Sequence, residues 1–233
     1  MGVETKRTPL TAAQGQFPAL LGEQLCLDFA NIVEPRGGLA VTVPPGYPIR
    51  DHLWNYGDLV AWGRYAAILD EAIALDLAAR GQAQAAAARA VFLRALALRE
   101  AIYRVFWQLA EGGSSGASDL ALLAAEHADG AAHAALVPAG DHFLWSWDEH
   151  DSDLARPLWP IAWSATALLT TGDPRRIKVC PGVPDAVVPC AWLFYDTTKN
   201  RIRHWCTMSD CGKKSKARRQ TSRRRAHRGA SKS

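Results

Sequence analysis

CPGVPDAVVPCAWLFYDTTKNRIRHWCTMSDCGKKSKARRQTSRRRAHR, running from Cys180 to Arg228, is the stretch on which the reading of this 233-residue chain turns. It holds four of the five cysteines as two pairs, with nine residues between Cys180 and Cys190 and four between Cys206 and Cys211. Zinc takes four thiolates in a tetrahedron, and closely spaced pairs deliver them while closing only short loops. The first twenty residues contain no apolar secretory segment, so a metal site is expected in preference to disulfides. A module this small has too little core to fold by itself, which again favours zinc at Cys180, Cys190, Cys206 and Cys211. The competing readings are four unlinked thiols or a disulfide pair.

Between the pairs, residues 191–205 read as strand, turn at Asp196–Asn200, and strand. Such a hairpin sets Cys190 and Cys206 side by side at its open end. Cys211 then stands at the start of a helix that Ser209 or Asp210 can cap. The expected arrangement is treble-clef-like. His204 is a rival ligand, but four thiolates leave it no necessary role.

The overall charge of +4 conceals an asymmetry. From Arg175 onward there are sixteen Lys plus Arg against three Asp, a net +13, so residues 1–174 carry −9. After Cys211 the chain has almost no apolar residue to bury, so it cannot pack as core. A basic helix of this kind fits an anionic polymer, and double-stranded DNA is the expected partner. The residues assigned to it are Lys213, Lys214, Lys216, Arg218, Arg219, Arg223, Arg224 and Arg225, with Lys199, Arg201 and Arg203 of the hairpin adding phosphate contacts. Lys213, Lys214 and Arg218, nearest the metal, are the candidates for base edges. RNA or ribosome association is the alternative, with Trp192, Phe194, Tyr195 and Trp205 as stacking surfaces.

Upstream, the pattern is helical. Residues 23–33 place Leu25, Phe29, Ile32 and Val33 at helical spacing, with Cys26 as a buried structural thiol. A short strand is expected at Leu39–Val43, with Asp51 or Asn55 capping a helix over 56–68. Asp70–Arg80 forms another helix, ending at Gly81. The strongest helix runs from Gln82 to Glu111, with Val91, Leu98, Ile102, Val105, Phe106 and Leu109 inward and arginines 89, 94, 99 and 104 elsewhere. A helix from Ser118 should stop near His127 and resume after Gly130. Phe143–Trp147 alternates as a strand paired with Leu136–Val137. The last helix, 154–169, carries Pro160, which requires a kink or a late start. No phosphate loop, GxSxG or HExxH occurs, so an enzyme is not expected. Asp28, Asn31 and Arg36 together with Trp145, Trp147, Trp159 and Trp163 are the candidates for a small-molecule pocket, although capping or buried hydrogen bonding is the favoured role of Asp28 and Asn31, and core packing that of the tryptophans.

The run from Cys190 through Arg203-His-Trp-Cys-Thr-Met-Ser-Asp-Cys-Gly-Lys-Lys resembles the CGNR zinc finger. Leu25-Cys-Leu-Asp-Phe-Ala-Asn31, Leu98-Arg-Glu-Ala-Ile-Tyr-Arg104 and Leu158-Trp-Pro-Ile-Ala-Trp-Ser164 resemble its usual companion, the ABATE domain. The resemblance covers about residues 20–228. It implies a bacterial, stress-related transcription regulator with zinc and DNA binding in the finger. Two features depart from the family pattern. The final motif is Cys211-Gly212-Lys213-Lys214, so lysines replace Asn and Arg, and the planar fork of arginine is lost at Lys214. The loop inside the first cysteine pair is also longer.

The expected fold is therefore mainly α. A helical domain with a small β-hairpin (20–172) precedes a treble-clef-like four-cysteine module of hairpin plus basic helix (175–228). Flexible segments cover 1–19 and 229–233. The expected function is a zinc-dependent DNA-binding regulator whose helical domain senses a small-molecule effector or a partner. An enzyme or binding scaffold in that domain is the remaining class. No apolar run is long enough for a membrane span, and a cytoplasmic location is expected.

Overall fold

The computed structural model describes residues 16–148 and 151–230, with side chains described as far as Arg224. At its centre is α1 (Leu25–Ala30), all six residues of which are buried. The sequence LCLDFA is apolar on nearly every side, as a helix surrounded by other elements must be. Around it pack α4, α6 and the last strand. Cys26 is fully buried, its backbone N–H donates to Ser164 Oγ at 3.1 Å, and burial pushes its thiol up to about 12. It is the structural thiol expected of it.

The first helix is shorter than its periodicity suggests. Val33–Glu34 (β1) instead pairs antiparallel with Arg50–Asp51 (β2). The strand expected at Leu39–Val43 does not form, and Leu39 and Val41 lie exposed. Asn55, not Asp51, caps α2 (Tyr56–Tyr65), in a reciprocal capping box with Asp58. Asp70 caps α3 (Glu71–Ala83), which runs through Gly81. The long α4 (Ala85–Ala110) buries Leu98, Ile102, Val105 and Phe106 as expected. Arg99 departs from the expectation for the arginines. It is buried, donating to both Asp51 oxygens at 2.8 and 2.9 Å and to Glu100 at 2.9 Å.

Helix α5 (Ala117–Ala132) is continuous through Gly130. A Cβ there would lie 2.9 Å from Trp159 Cβ, so glycine lets α5 and α6 approach closely. The hairpin of β3 (Ala134–Ala139) and β4 (His142–Trp147) has the expected partners, with Leu136 opposite Trp145. α6 (Leu158–Thr171) starts late, with Pro157 at its N-cap. Pro160 thus falls in the first turn, where no intrahelical acceptor awaits its missing N–H.

After a 3-10 turn at Pro174–Arg176, β5 (Ile177–Val179) pairs antiparallel with β6 (Leu193–Tyr195). The pairing corrects the expected one: residues 201–205 form no strand, and the partner of β6 lies before Cys180. Ile177 and Leu193 join the same core as the helices. A π-helical turn at Met208–Gly212 leads into α7 (Lys213–Ala230). Among the described residues no helix is long and apolar enough to cross a membrane.

Candidate metal centre

The β5–β6 ladder fixes both ends of the first cysteine loop. Cys180 N–H donates to Trp192 O at 2.8 Å, and Ala191 N–H to Cys180 O at 3.1 Å. Gly182 turns the chain with φ +68°, and a Cβ there would lie 2.7 Å from Cys190 N. Cys206 and Cys211 approach from the other side, across the π turn. Cys180, Cys206 and Cys211 are buried and Cys190 is half-buried, with Trp192 and Phe194 beside them.

The four Sγ atoms lie within 4.8 Å of one another. Cys190 to Cys206 is 3.8 Å and Cys206 to Cys211 is 3.7 Å. A tetrahedron with Zn–S bonds of about 2.3 Å has edges of about 3.8 Å. As thiols alone, the four would compete for protons. Hydrogen bonding from Cys190 pulls Cys180 down, while bonding to Cys180 pushes Cys190 up. Cys180, Cys190, Cys206 and Cys211 would hold a dication as four thiolates, and its charge would remove that competition. His204 is exposed and outside this cluster.

The second cysteine pair is presented by a loop that begins at the turn expected at Asp196–Asn200, and the sequence reading missed only the role of Asp196 at its centre. Asp196 is fully buried and accepts from Lys178 Nζ at 2.6 Å and from the N–H groups of Thr198 and Arg203 at 3.0 Å each. Burial alone would raise its carboxyl, but Lys178 and Thr198 hold it well below the usual carboxylate range. Lys178 also donates to the carbonyls of Arg201 and Arg203. Asp-Thr-Thr is an Asx-turn signal, so this loop was partly legible.

The candidate nucleic-acid residues divide. Lys213, Lys214 and every residue from Lys216 to Arg224 are exposed, whereas Ser215 is buried against the module. Lys214 pairs with Asp210 one turn earlier, and Arg218 Nε lies 3.7 Å from Asp185. Surface pairs of this kind are weak and exchange readily for other anions. The helix is capped by Thr207, whose Oγ1 accepts from Ser209 N–H, instead of by Ser209 or Asp210. Lys199 and Arg201 are exposed. Arg203 is engaged internally: it donates to Leu21 O at 2.7 Å, to Cys206 O and to Glu23, and stacks over the Phe194 ring. The Arg225 side chain lies outside the described residues.

The pocket candidates also separate. Trp145, Trp147, Trp159 and Trp163 come together, with Trp163 at 5.8 and 5.9 Å from Trp145 and Trp147 and Trp147 at 6.4 Å from Trp159. His127 and His133 complete this cluster through Trp163 and Trp159. Asn31 and Arg36 do not join it. They face the zinc module and α4, Asn31 bonding Leu193 and Arg36 bonding Glu100. Asp28 accepts from Gly22 N–H at 2.7 Å.

Fold and site define a mainly helical protein that ends in a four-cysteine zinc finger. The chain belongs to the ABATE family, described as "Putative stress-induced transcription regulator", whose pattern matches residues 23–172. Residues 176–224 match the CGNR zinc finger. No curated protein matches the chain. Family and donor set agree on zinc as the cofactor.

Proposed function

We propose that the chain is a zinc-dependent regulator of transcription that binds duplex DNA. Cys180, Cys190, Cys206 and Cys211 hold the zinc, and α7 carries the DNA contacts. The unit spanning 20–172 senses an effector or partner, and 175–228 forms the finger. The observation that carries this reading is the run of exposed cations beginning two residues after the last thiolate. Lys213, Lys214, Lys216, Arg218, Arg219, Arg223 and Arg224 supply phosphate contacts, with Lys199 and Arg201 beside them. Arg203 is left out, because its guanidinium holds Leu21 and Cys206.

Duplex DNA is favoured over single-stranded RNA by two of the four aromatic candidates, while Tyr195 and Trp205 are half-buried. Trp192 and Phe194 are buried, and the Trp192 indole N–H is bonded to Val33 O, so neither offers a free face for stacking. The cytoplasm is the compartment this reading requires, and regulation instead of catalysis is the role the two families support.

The test is duplex binding by fluorescence anisotropy across a salt series. Each neutralised phosphate contributes a slope of about −0.9 in log K against log salt. A steep slope that collapses when the chain is cut after Cys211 is the expected result. A shallow slope, unchanged by that truncation, would sink the proposal.

A further inference from the structure

The zinc module is bonded to the helical domain through the segment that carries Cys190. Arg36 N–H donates to Cys190 O at 2.9 Å, and Gly37 N–H to Pro189 O at 3.2 Å. The Tyr103 hydroxyl donates to Ala191 O at 2.9 Å. Three successive carbonyls, those of residues 189, 190 and 191, are thus held by groups from the other domain. Asn31 then pairs its amide with both backbone groups of Leu193, at 2.7 and 2.9 Å, as a neighbouring strand would.

These donors are themselves fixed. Arg36 makes a two-pronged pair with Glu100 at 2.9 Å on each arm, and its Cζ lies 3.7 Å from the Tyr103 ring centroid. Glu100 also accepts from Arg99, which holds Asp51 on β2, the partner of β1. The path from α4 to the peptide groups around Cys190 is therefore continuous. Cys190 is also the ligand most in need of support. Of the four cysteines, Cys190 alone is half-buried while the other three are buried, and it ends a nine-residue loop. Removing an outer group that orients a metal ligand typically costs about 10- to 100-fold in metal affinity.

We propose that Tyr103, Asn31 and Arg36 are positioning residues of the zinc site, so that the helical domain sets how tightly zinc is held. This rests on the reading that the four cysteines bind zinc. Linkage makes the coupling reciprocal: zinc in turn firms the backbone at Arg36 and Gly37.

The test uses the full zinc-loaded chain and the rate of zinc transfer to a chromophoric chelator. Tyr103→Phe removes one hydroxyl and Asn31→Ala one amide, and each speeds release by about tenfold. The control is Tyr56→Phe, which deletes a buried hydroxyl bonded to Leu154 O at 2.9 Å, within the helical domain. It releases zinc at the wild-type rate. Cobalt-loaded Tyr103→Phe shows altered thiolate–metal absorption, and Tyr56→Phe does not. In the wild type, zinc removal raises amide exchange at Arg36 and Gly37. Wild-type release from both Tyr103→Phe and Asn31→Ala overturns the proposal, as does equal acceleration by Tyr56→Phe. A wild-type chain without zinc, or a Cys190→Ser chain that binds it unchanged, overturns the underlying reading and the proposal with it.

Discussion

Asp196 ties together the loop that leads into the second cysteine pair. Its carboxylate gathers Lys178, Thr198 and the Arg203 N–H at a site without solvent access. Asp196→Ala leaves the Lys178 ammonium without its carboxylate, although two carbonyls remain. A loss on the order of 3 kcal/mol is expected in urea unfolding of the zinc-loaded chain, and a loss within experimental error would contradict the assigned role. The cysteines were readable because their chemistry is almost confined to metal or disulfide. Buried hydrogen bonding was the favoured role of Asn31 and is what it does, but its partner was not legible, because Leu193 lies 162 residues along the chain and is met through its backbone, which no side-chain pattern announces. Arg203 was misread for a related reason. One more cation in a basic stretch looks like a phosphate contact until its carbonyl partners are in place.

Helices were legible in kind and less so in extent. Apolar spacing identified α2, α4 and α6, and Asn55 was one of the two caps expected for α2, whereas Asp70, read as the first residue of the next helix, is its cap. The ends slipped where glycine served packing instead of termination, as at Gly130 against Trp159. The finger's strands were harder. Three residues each carry little periodicity, and the pairing of β6 was settled by β5 across the cysteine loop. The network between α4 and β2 makes a pH prediction at this scale. Burial would raise the Glu100 carboxyl, but Arg36 and Arg99 hold it below its ordinary value. Its contribution is therefore present above the unfolded value of about 4.3 and lost as pH falls below it. Urea midpoints at pH 7 and 3.5 should differ less in Glu100→Gln than in the wild type. Equal differences would show that the pair adds nothing.

Across the whole molecule, the boundary expected near residue 174 is a change of charge more than a break in packing. Ile177 and Leu193 share the helical domain's core, so a finger cut out alone would expose both. Chelation of the full chain should lower one common thermal transition, seen alike in near-UV circular dichroism and tryptophan emission. Two separated transitions would show that the regions unfold independently. The acidic and basic regions were evident from composition, whereas their shared core depends on contacts between distant segments. One consequence lies in how α7 leaves the metal. No linker separates Cys211 from Lys213, and the side chains from Lys216 to Arg224 are all exposed. From Cys211 to Arg224 the helix extends about 20 Å, and a tilt of about 5° at its root swings the tip by about 2 Å. The zinc is thus the pivot of a lever, and adjustments too small to disturb the core are magnified where the arginines reach outward.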